Sequence, residues 1–214
     1  MLILDFGSGN TCHNDESTIR DMFYELDKSI PPVFQFYQPV VKFQLFRNEP
    51  PNEPLTFAAF DFAYHYGRDM GFKVTASVFD MDSLMHLINY DVPFIKIANR
   101  PDLGELADVV RAYDVEVVQS VPSAAEFVLC REATPLCCVS EYPAKSETYV
   151  ERFEPGQIRS GVSDHTVGWD FYRMYKPKVI EKHYVLEHSE DNPDAGPFAV
   201  TPTDVAQLYN EARP

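Results

Sequence analysis

The chain has 214 residues, 45% of them hydrophobic and 14% aromatic, which is enough apolar surface for a full core and too much for a disordered chain. A formal net charge of −15 excludes an unassisted phosphate-backbone partner, because nucleic-acid binders present a basic face. No run approaches membrane-spanning length, and the N-terminal MLILDFGSGN lacks a basic region, so neither a membrane partner nor a signal peptide is expected.

Residues 1–4 read as a short buried strand stopped by Asp5, with Gly7-Ser8-Gly9-Asn10 as the loop after it. Asp15-Glu16-Ser17 can cap a helix over 18–28, with Ile19, Met22, Phe23 and Leu26 on one face, and Pro31-Pro32 breaks it. A second strand over 39–43 ends in Lys42 and Gln44. The loop Pro50-Pro51 and Asn52-Glu53-Pro54 precedes an aromatic helix over 55–66, closed by Gly67. Strand three spans 73–77 with a helix over 80–89, and strand four spans 94–98 with a helix over 103–113. Strand five spans 115–120, with a helix after Pro122-Ser123. Strand six spans 136–139, followed by a loop through Ser140, Tyr142 and Pro143 and a short helix near Glu147. The last two apolar runs, 158–162 and 178–180, end in Ser163-Asp164-His165-Thr166 and Glu181-Lys182-His183, with room for one helix between them. A final helix over 203–212 has Thr201 and Thr203 as candidate caps.

Strict alternation of strand and helix implies a parallel sheet, and eight such units in one short chain favour a minimal closed (β/α)8 barrel over an open doubly wound sheet, as a single domain over 1–214. A right-handed crossover delivers the last two polar clusters side by side at the C-terminal end of the barrel, where such folds keep their chemistry. The residues ending the apolar runs are Asp5, Lys42, Gln44, Ser77, Lys96, Ser140, Ser163, His165, Glu181 and His183. A set of lysines, carboxylates, histidines and hydroxyls is the composition of a pocket.

His165 and His183 can share a divalent cation as neutral imidazoles, with Asp164 or Glu181 fixing their tautomers; the plain alternative is two hydrogen-bonded rim histidines. Lys42 and Lys96 can clamp a phosphate, form a Schiff base, or snorkel at the barrel edge. Ser77, Ser140 and Ser163 can add hydrogen bonds to a phosphate, and Asp5 can serve as a general base or cap a turn. His13, His65, His86 and His188 read as loop or helix-surface residues. The four cysteines, Cys12, Cys130, Cys137 and Cys138, lack zinc-site spacing, and adjacent strand residues Cys137 and Cys138 face opposite ways, so reduced thiols in a cytoplasmic setting are expected.

The runs VKFQ (41–44), SVFD (77–80), VPFIKIA (92–98), CVSEYP (138–143), SGVSDHT (160–166) and IEKH (180–183) occur in an order that resembles the catalytic barrel of the N-acetylneuraminate (sialic acid) synthases and their legionaminate and pseudaminate relatives. The resemblance implies a metal-dependent condensation of phosphoenolpyruvate with an N-acetylated aldose such as N-acetylmannosamine, with phosphate released by C–O cleavage. It implies Mn²⁺ or Mg²⁺ on His165 and His183, and phosphoenolpyruvate on Lys96, Ser77, Ser140 and Ser163. Lys42 and Gln44 would sit at the same mouth, Tyr142 and Asp194 would face the sugar, and Asp5 would handle the water that adds at C2. It also implies a homodimer.

Several positions depart from the family pattern. Asp5 stands where a glutamate is usual, and the Asn-His pair after the first strand is blurred into GSGNTCHND, with Asn10 or His13-Asn14 as its counterpart. Asn99 replaces a serine after the lysine, and Cys137 stands where His-Cys is expected. The loop after strand two is short and proline-rich, and the antifreeze-like C-terminal domain of family members is not expected within 1–214. A Schiff-base lysine aldolase and a non-catalytic sugar- or partner-binding barrel are the rival readings.

Overall fold

Eight parallel strands pair in chain order, and the last returns to the first, closing a (β/α)8 barrel in the computed structural model, which describes residues 1–46, 50, 52–130 and 132–212. The order is β1 (Leu2–Asp5), α1 (Gly9–Cys12), α2 (Glu16–Ser29), β2 (Val40–Leu45), α3 (Phe57–Asp69), β3 (Lys73–Val78), α4 (Met81–Leu87), β4 (Ile95–Ile97) and α5 (Gly104–Val110). It continues with β5 (Val117–Val121), α6 (Ala124–Leu129), β6 (Thr134–Cys138), α7 (Ser146–Arg152), α8 (Pro155–Ser160), β7 (Gly161–Ser163), α9 (Asp170–Tyr175), β8 (Val179–His183) and α10 (Pro202–Glu211). Short 3-10 turns occupy Pro32–Tyr37 and Pro101–Leu103. Pro51, in the proline-rich loop expected after strand two, and Pro214 lie outside the described residues.

Local chemistry starts the helices where the sequence suggests. Asp15 accepts from the Thr18 amide ahead of α2, Asp80 and Ser83 form a reciprocal capping box on α4, and Thr201 and Asp204 do the same on α10. Among the described residues, no helix is long and apolar enough to cross a membrane.

Several boundaries differ from expectation by a few residues, and the loop expected over 7–10 runs into the short α1, while three departures have a clear structural consequence. Gly67 does not close α3 but lies inside it, because a Cβ there would stand 2.6 Å from the Phe23 ring and 2.7 Å from Val74; the helix needs a bare backbone to approach α2 and the sheet. Ile158 belongs to α8 rather than to strand seven, so β7 is only three residues long. Two short helices, α7 and α8, precede it where one was expected.

Side chains alternate across each strand with period two. Outward-facing Leu4, Val41, Phe43, Val74 and Ile95 join Phe23 of α2 and Phe60 of α3 in the main core. Phe6, Phe23 and Phe43 meet tilted or edge-on at centroid distances of 5.2–6.3 Å. Truncating one such ring to alanine costs about 3–5 kcal/mol. Inward-facing Ile3, Val40, Phe94, Val118 and Leu136 plug the lower bore of the barrel. The next inward residue on each of these strands is polar or a thiol, and there the site begins.

Candidate active site

One step above the apolar plug, the inward positions are Asp5, Lys42, Ser77, Lys96, Ser120, Cys138, Ser163 and Glu181, all buried. The ladder sets them in a ring, since Asp5 pairs with Lys42, Ser77 with Lys96, Cys138 with Ser163 and Ser163 with Glu181. Above the ring stand Gln44, His165, His183, Tyr142 and Asp194. Together they line an open cavity of about 400 Å³ at the C-terminal end of the barrel. The expected substrate- and metal-binding residues face it, including Asn99 and Ser140, whose side chains meet at 3.1 Å on the rim.

One half of the cavity is cationic. Lys42 Nζ donates to Asp5 Oδ2 at 2.6 Å and to Ser77 Oγ at 3.0 Å, and lies 3.7 Å from Glu181 Oε2. Lys96 Nζ donates to Ser120 Oγ at 2.8 Å and to the Ile97 carbonyl at 3.2 Å, and lies 3.5 Å from Glu181 Oε1. Burial pulls both lysines toward the neutral form. For Lys42 the Asp5 and Glu181 carboxylates outweigh it and raise the pKa, whereas for Lys96 burial wins and lowers it. Glu181 feels burial in the opposite sense, yet the two ammonium groups hold it below the usual carboxylate range. Its Oε1 accepts from Ser163 at 2.9 Å, while its buried Oε2 has no hydrogen-bond partner. An incoming anion would find two ammonium groups and several hydroxyls converging on the space that Glu181 now neutralises.

The other half holds the imidazoles, with ring centroids 5.6 Å apart. Nδ1 of His165 lies 2.6 Å from the Val139 carbonyl, to which it can only donate, so Nε2 is left with its lone pair. Burial, reinforced by the neighbouring His183, holds His165 down at about 3, so it is neutral at physiological pH. Nδ1 of His183 lies 3.2 Å from Asp194 Oδ1, within ion-pair distance but off the line of a hydrogen bond, and Nε2 is 4.0 Å from Asp5 Oδ2. Burial lowers His183, and the Asp194 and Asp5 carboxylates outweigh it to leave a net rise. Rings of Tyr142 and Phe198 flank both histidines at 4.2–6.4 Å between centroids.

Among the described residues no group of three or more His, Cys, Asp or Glu side chains is placed to hold a metal ion. The donors present fit a partial coordination shell: two imidazoles, one with its tautomer fixed by a carbonyl, with further positions left to water or substrate oxygens. The tautomer partner is not Asp164 or Glu181, as the sequence suggested. Asp164 points away from the cavity to Lys182, at 3.0 Å, and Glu181 is engaged by the lysines and Ser163. Nor do Asn10 and His13-Asn14 reach the cavity. Asn14 accepts from the Thr56 amide and donates to the Pro54 carbonyl, and Asn10 accepts from the Glu53 amide, so these residues fasten the loop before α3.

Sequence reasoning missed Ser120, Cys138 and Phe198. Ser120 was legible by the rule that found the others, as the polar residue ending strand five. Cys138 follows from the opposite facing of Cys137, which packs into the helix layer. All four cysteines are free.

The asparagine after β1 is likewise replaced as a cavity residue by a turn. Gly7, at φ +73°, bends the chain so that its amide donates to Asp5 Oδ1 at 3.0 Å. A Cβ at Gly7 would contact Thr11 Oγ1 and stand 2.8 Å from Asp194 Oδ2, so a bare backbone is required where β1 meets the loop after β8.

The NeuB family model matches residues 55–214. Comparison with curated proteins gives no match. Among solved structures, the chain is similar to the N-acetylneuraminic acid (sialic acid) synthetase of Leptospira borgpetersenii serovar Hardjo-bovis in complex with citrate, with a TM-score of 0.76 and 19% identity over 98% of this chain and 81% of that one. It is similar to a spore coat polysaccharide biosynthesis protein of Bacillus subtilis, at TM-score 0.68 and 16% identity, covering 98% of this chain and 66% of that one. It is also similar to a phospho-2-dehydro-3-deoxyheptonate aldolase of Thermotoga maritima, at TM-score 0.66 and 11% identity, covering 99% and 69%. At such identities these likenesses establish the shared barrel.

Proposed function

The chain belongs to the NeuB family, and on that premise we propose that it joins phosphoenolpyruvate to the open-chain form of an N-acetylated aldose, giving a nonulosonic acid and inorganic phosphate. The observation that carries this reading is the meeting of two buried lysines and two buried histidines in one cavity. An anion receptor and a pair of imidazoles, side by side, suit a reaction between an anionic enol ester and an aldehyde.

Lys42 and Lys96 take the carboxylate and phosphate of phosphoenolpyruvate, displacing the looser contacts of Glu181, with Ser77, Ser120, Ser163 and, at the rim, Ser140 and Asn99 adding hydrogen bonds. A divalent cation, Mn²⁺ or Mg²⁺, on His165 and His183 would polarise the sugar's aldehyde. Gln44, Tyr142 and Asp194 face the sugar. Nε2 of Gln44 already donates to Asp5 Oδ2 at 2.8 Å, so a sugar hydroxyl arriving there exchanges one hydrogen bond for another.

The chemistry balances in three bonds. C3 of the enol forms a bond to the aldehyde carbon, whose oxygen takes up a proton. Water adds to the cationic C2, giving up a proton to the Asp5 carboxylate. The C2–O bond to phosphate then breaks as the C2 hydroxyl gives up its proton to the departing phosphate, and the proton left on Asp5 balances the one taken up by the aldehyde oxygen, leaving a ketone and inorganic phosphate. The low-dielectric floor of the cavity strengthens each of these electrostatic contacts.

Release of phosphate from phosphoenolpyruvate across a panel of N-acetylated aldoses, with Mn²⁺ and with chelator, tests the reading; turnover on none of them removes it. A second reading is favoured by one observation, the lowering of Lys96 by burial, since a neutral amine can form a Schiff base with a keto acid. Borohydride trapping with pyruvate distinguishes the two, because the condensation reading requires no adduct.

A further inference from the structure

Asp164 and Lys182 are each next in sequence to one of the two imidazoles, and neither touches the cavity. Strand alternation sends His165 and His183 to the mouth and turns Asp164 and Lys182 outward, beneath the helix layer, where both are fully buried. Nζ of Lys182 donates to Asp164 Oδ2 at 3.0 Å and to the Thr166 carbonyl at 2.5 Å, while Asp164 Oδ1 accepts from the Thr166 amide at 2.8 Å. The residue before His183 thus grips both neighbours of His165. The Trp169 ring lies 6.0 Å from the ammonium on the far side.

This grip falls where the sheet no longer does the work. The β7–β8 ladder ends at the Ser163–Glu181 pair, and beyond it one backbone hydrogen bond, from Asp164 N to the Glu181 carbonyl at 2.9 Å, continues toward His165. A buried ion pair is a poor source of stability, since two apolar side chains of similar volume commonly do as well or better. What such a pair supplies and apolar side chains do not is a fixed distance and register between two chain segments.

We infer that the Asp164–Lys182 pair is a positioning clamp that sets the separation of His165 and His183 and so tunes the affinity of that pair for a divalent cation. The inference rests on the metal reading given above. It bears less on the anion half, because Lys42, Ser77, Lys96 and Ser120 stand on β2 to β5, and only Ser163 and Glu181 of that half adjoin the clamp.

The test is a comparison of the unsubstituted protein with Asp164→Asn and with the double variant Asp164→Leu/Lys182→Met, the second chosen because it leaves no unpaired buried charge. Mn²⁺ binding is followed by the loss of its free-ion electron paramagnetic resonance signal, inorganic phosphate binding by calorimetry, and folding by near-ultraviolet circular dichroism. In the folded double variant, Mn²⁺ affinity is expected to fall by about 10–100-fold, the range typical of lost outer-sphere support, with a much smaller change in phosphate affinity. Unchanged Mn²⁺ affinity, or an equal loss of both, overturns the clamp. If the unsubstituted protein binds no Mn²⁺, the metal reading fails by itself. The clamp is then decided by crystals of the double variant, where a ring separation still at 5.6 Å contradicts it and a shifted one supports it.

Discussion

Glu181 and Lys96 form an ion pair 3.5 Å long that crosses the bore of the barrel, from β8 to β4, instead of running between neighbouring strands. With Lys42 3.7 Å from the other oxygen of the same carboxylate, Glu181 is the internal counter-ion of the anion receptor and its competitor. Removing its charge should therefore strengthen anion binding. Glu181→Gln is expected to bind inorganic phosphate about tenfold more tightly by calorimetry, with some loss of thermal stability from two less-compensated ammonium groups. Equal or weaker phosphate binding would mean that Glu181 does not occupy the anion's place.

Lys96 and Lys42 should fail differently. Lys96→Met removes an ammonium whose close carboxylate, Glu181, is shared with Lys42, so the fold should survive while the KM for phosphoenolpyruvate rises by more than tenfold. Lys42→Met leaves the buried Asp5 carboxylate without its ammonium and should cost about 3–5 kcal/mol in denaturant unfolding. Equal stability losses for the two variants would contradict the division of labour read from their contacts.

Gly7 and Gly71 offer a paired control, since both have positive φ, at +73° and +93°. Alanine at either costs about 1–2 kcal/mol of backbone strain. At Gly71 the new methyl meets only Gln38, at 3.5 Å, whereas at Gly7 it presses on Asp194, the partner of His183. Only Gly7→Ala should lose activity beyond its stability loss, measured as turnover on folded protein at equal distance below each melting temperature.

How much of this was legible beforehand follows from which groups carry it. Period-two alternation and the polar residue ending each apolar run were enough to bring Asp5, Lys42, Ser77, Lys96, Ser163 and Glu181 to one cavity. Boundaries slipped where tertiary packing overrode local signals: Gly67 reads as a helix stop, and the close approach of α3 to Phe23 makes it a helix interior. Backbone groups were invisible, so the Val139 carbonyl that orients His165 could not be named and acidic neighbours were credited instead. Asp164 proved to face outward, a consequence of its one-residue offset from His165 that the alternation rule already contained, while Glu181, two residues from His183, faces the cavity but is held by the lysines.

The thiols give a chemical check of burial. Burial raises Cys12 to about 11 and Cys137 to about 12, and also raises Cys138 and, less deeply placed, Cys130. Thiolate is the reactive form, so at pH 8 iodoacetamide should label Cys130 first and leave Cys12 and Cys137 unmodified in the native state, read by peptide mass spectrometry. Cys138, at the cavity floor, should become still slower when phosphate is bound. Fast labelling of Cys137 would mean that the β6 edge of the barrel opens.

The most direct measurement is turnover of phosphoenolpyruvate labelled with ¹⁸O at the bridging oxygen, in the presence of Mn²⁺ and an N-acetylated aldose, followed by ³¹P nuclear magnetic resonance. C–O cleavage predicts that the label leaves in inorganic phosphate and that chelator abolishes its release. Label retained in the keto acid, release indifferent to chelator, or no release with any aldose of the panel would contradict the condensation.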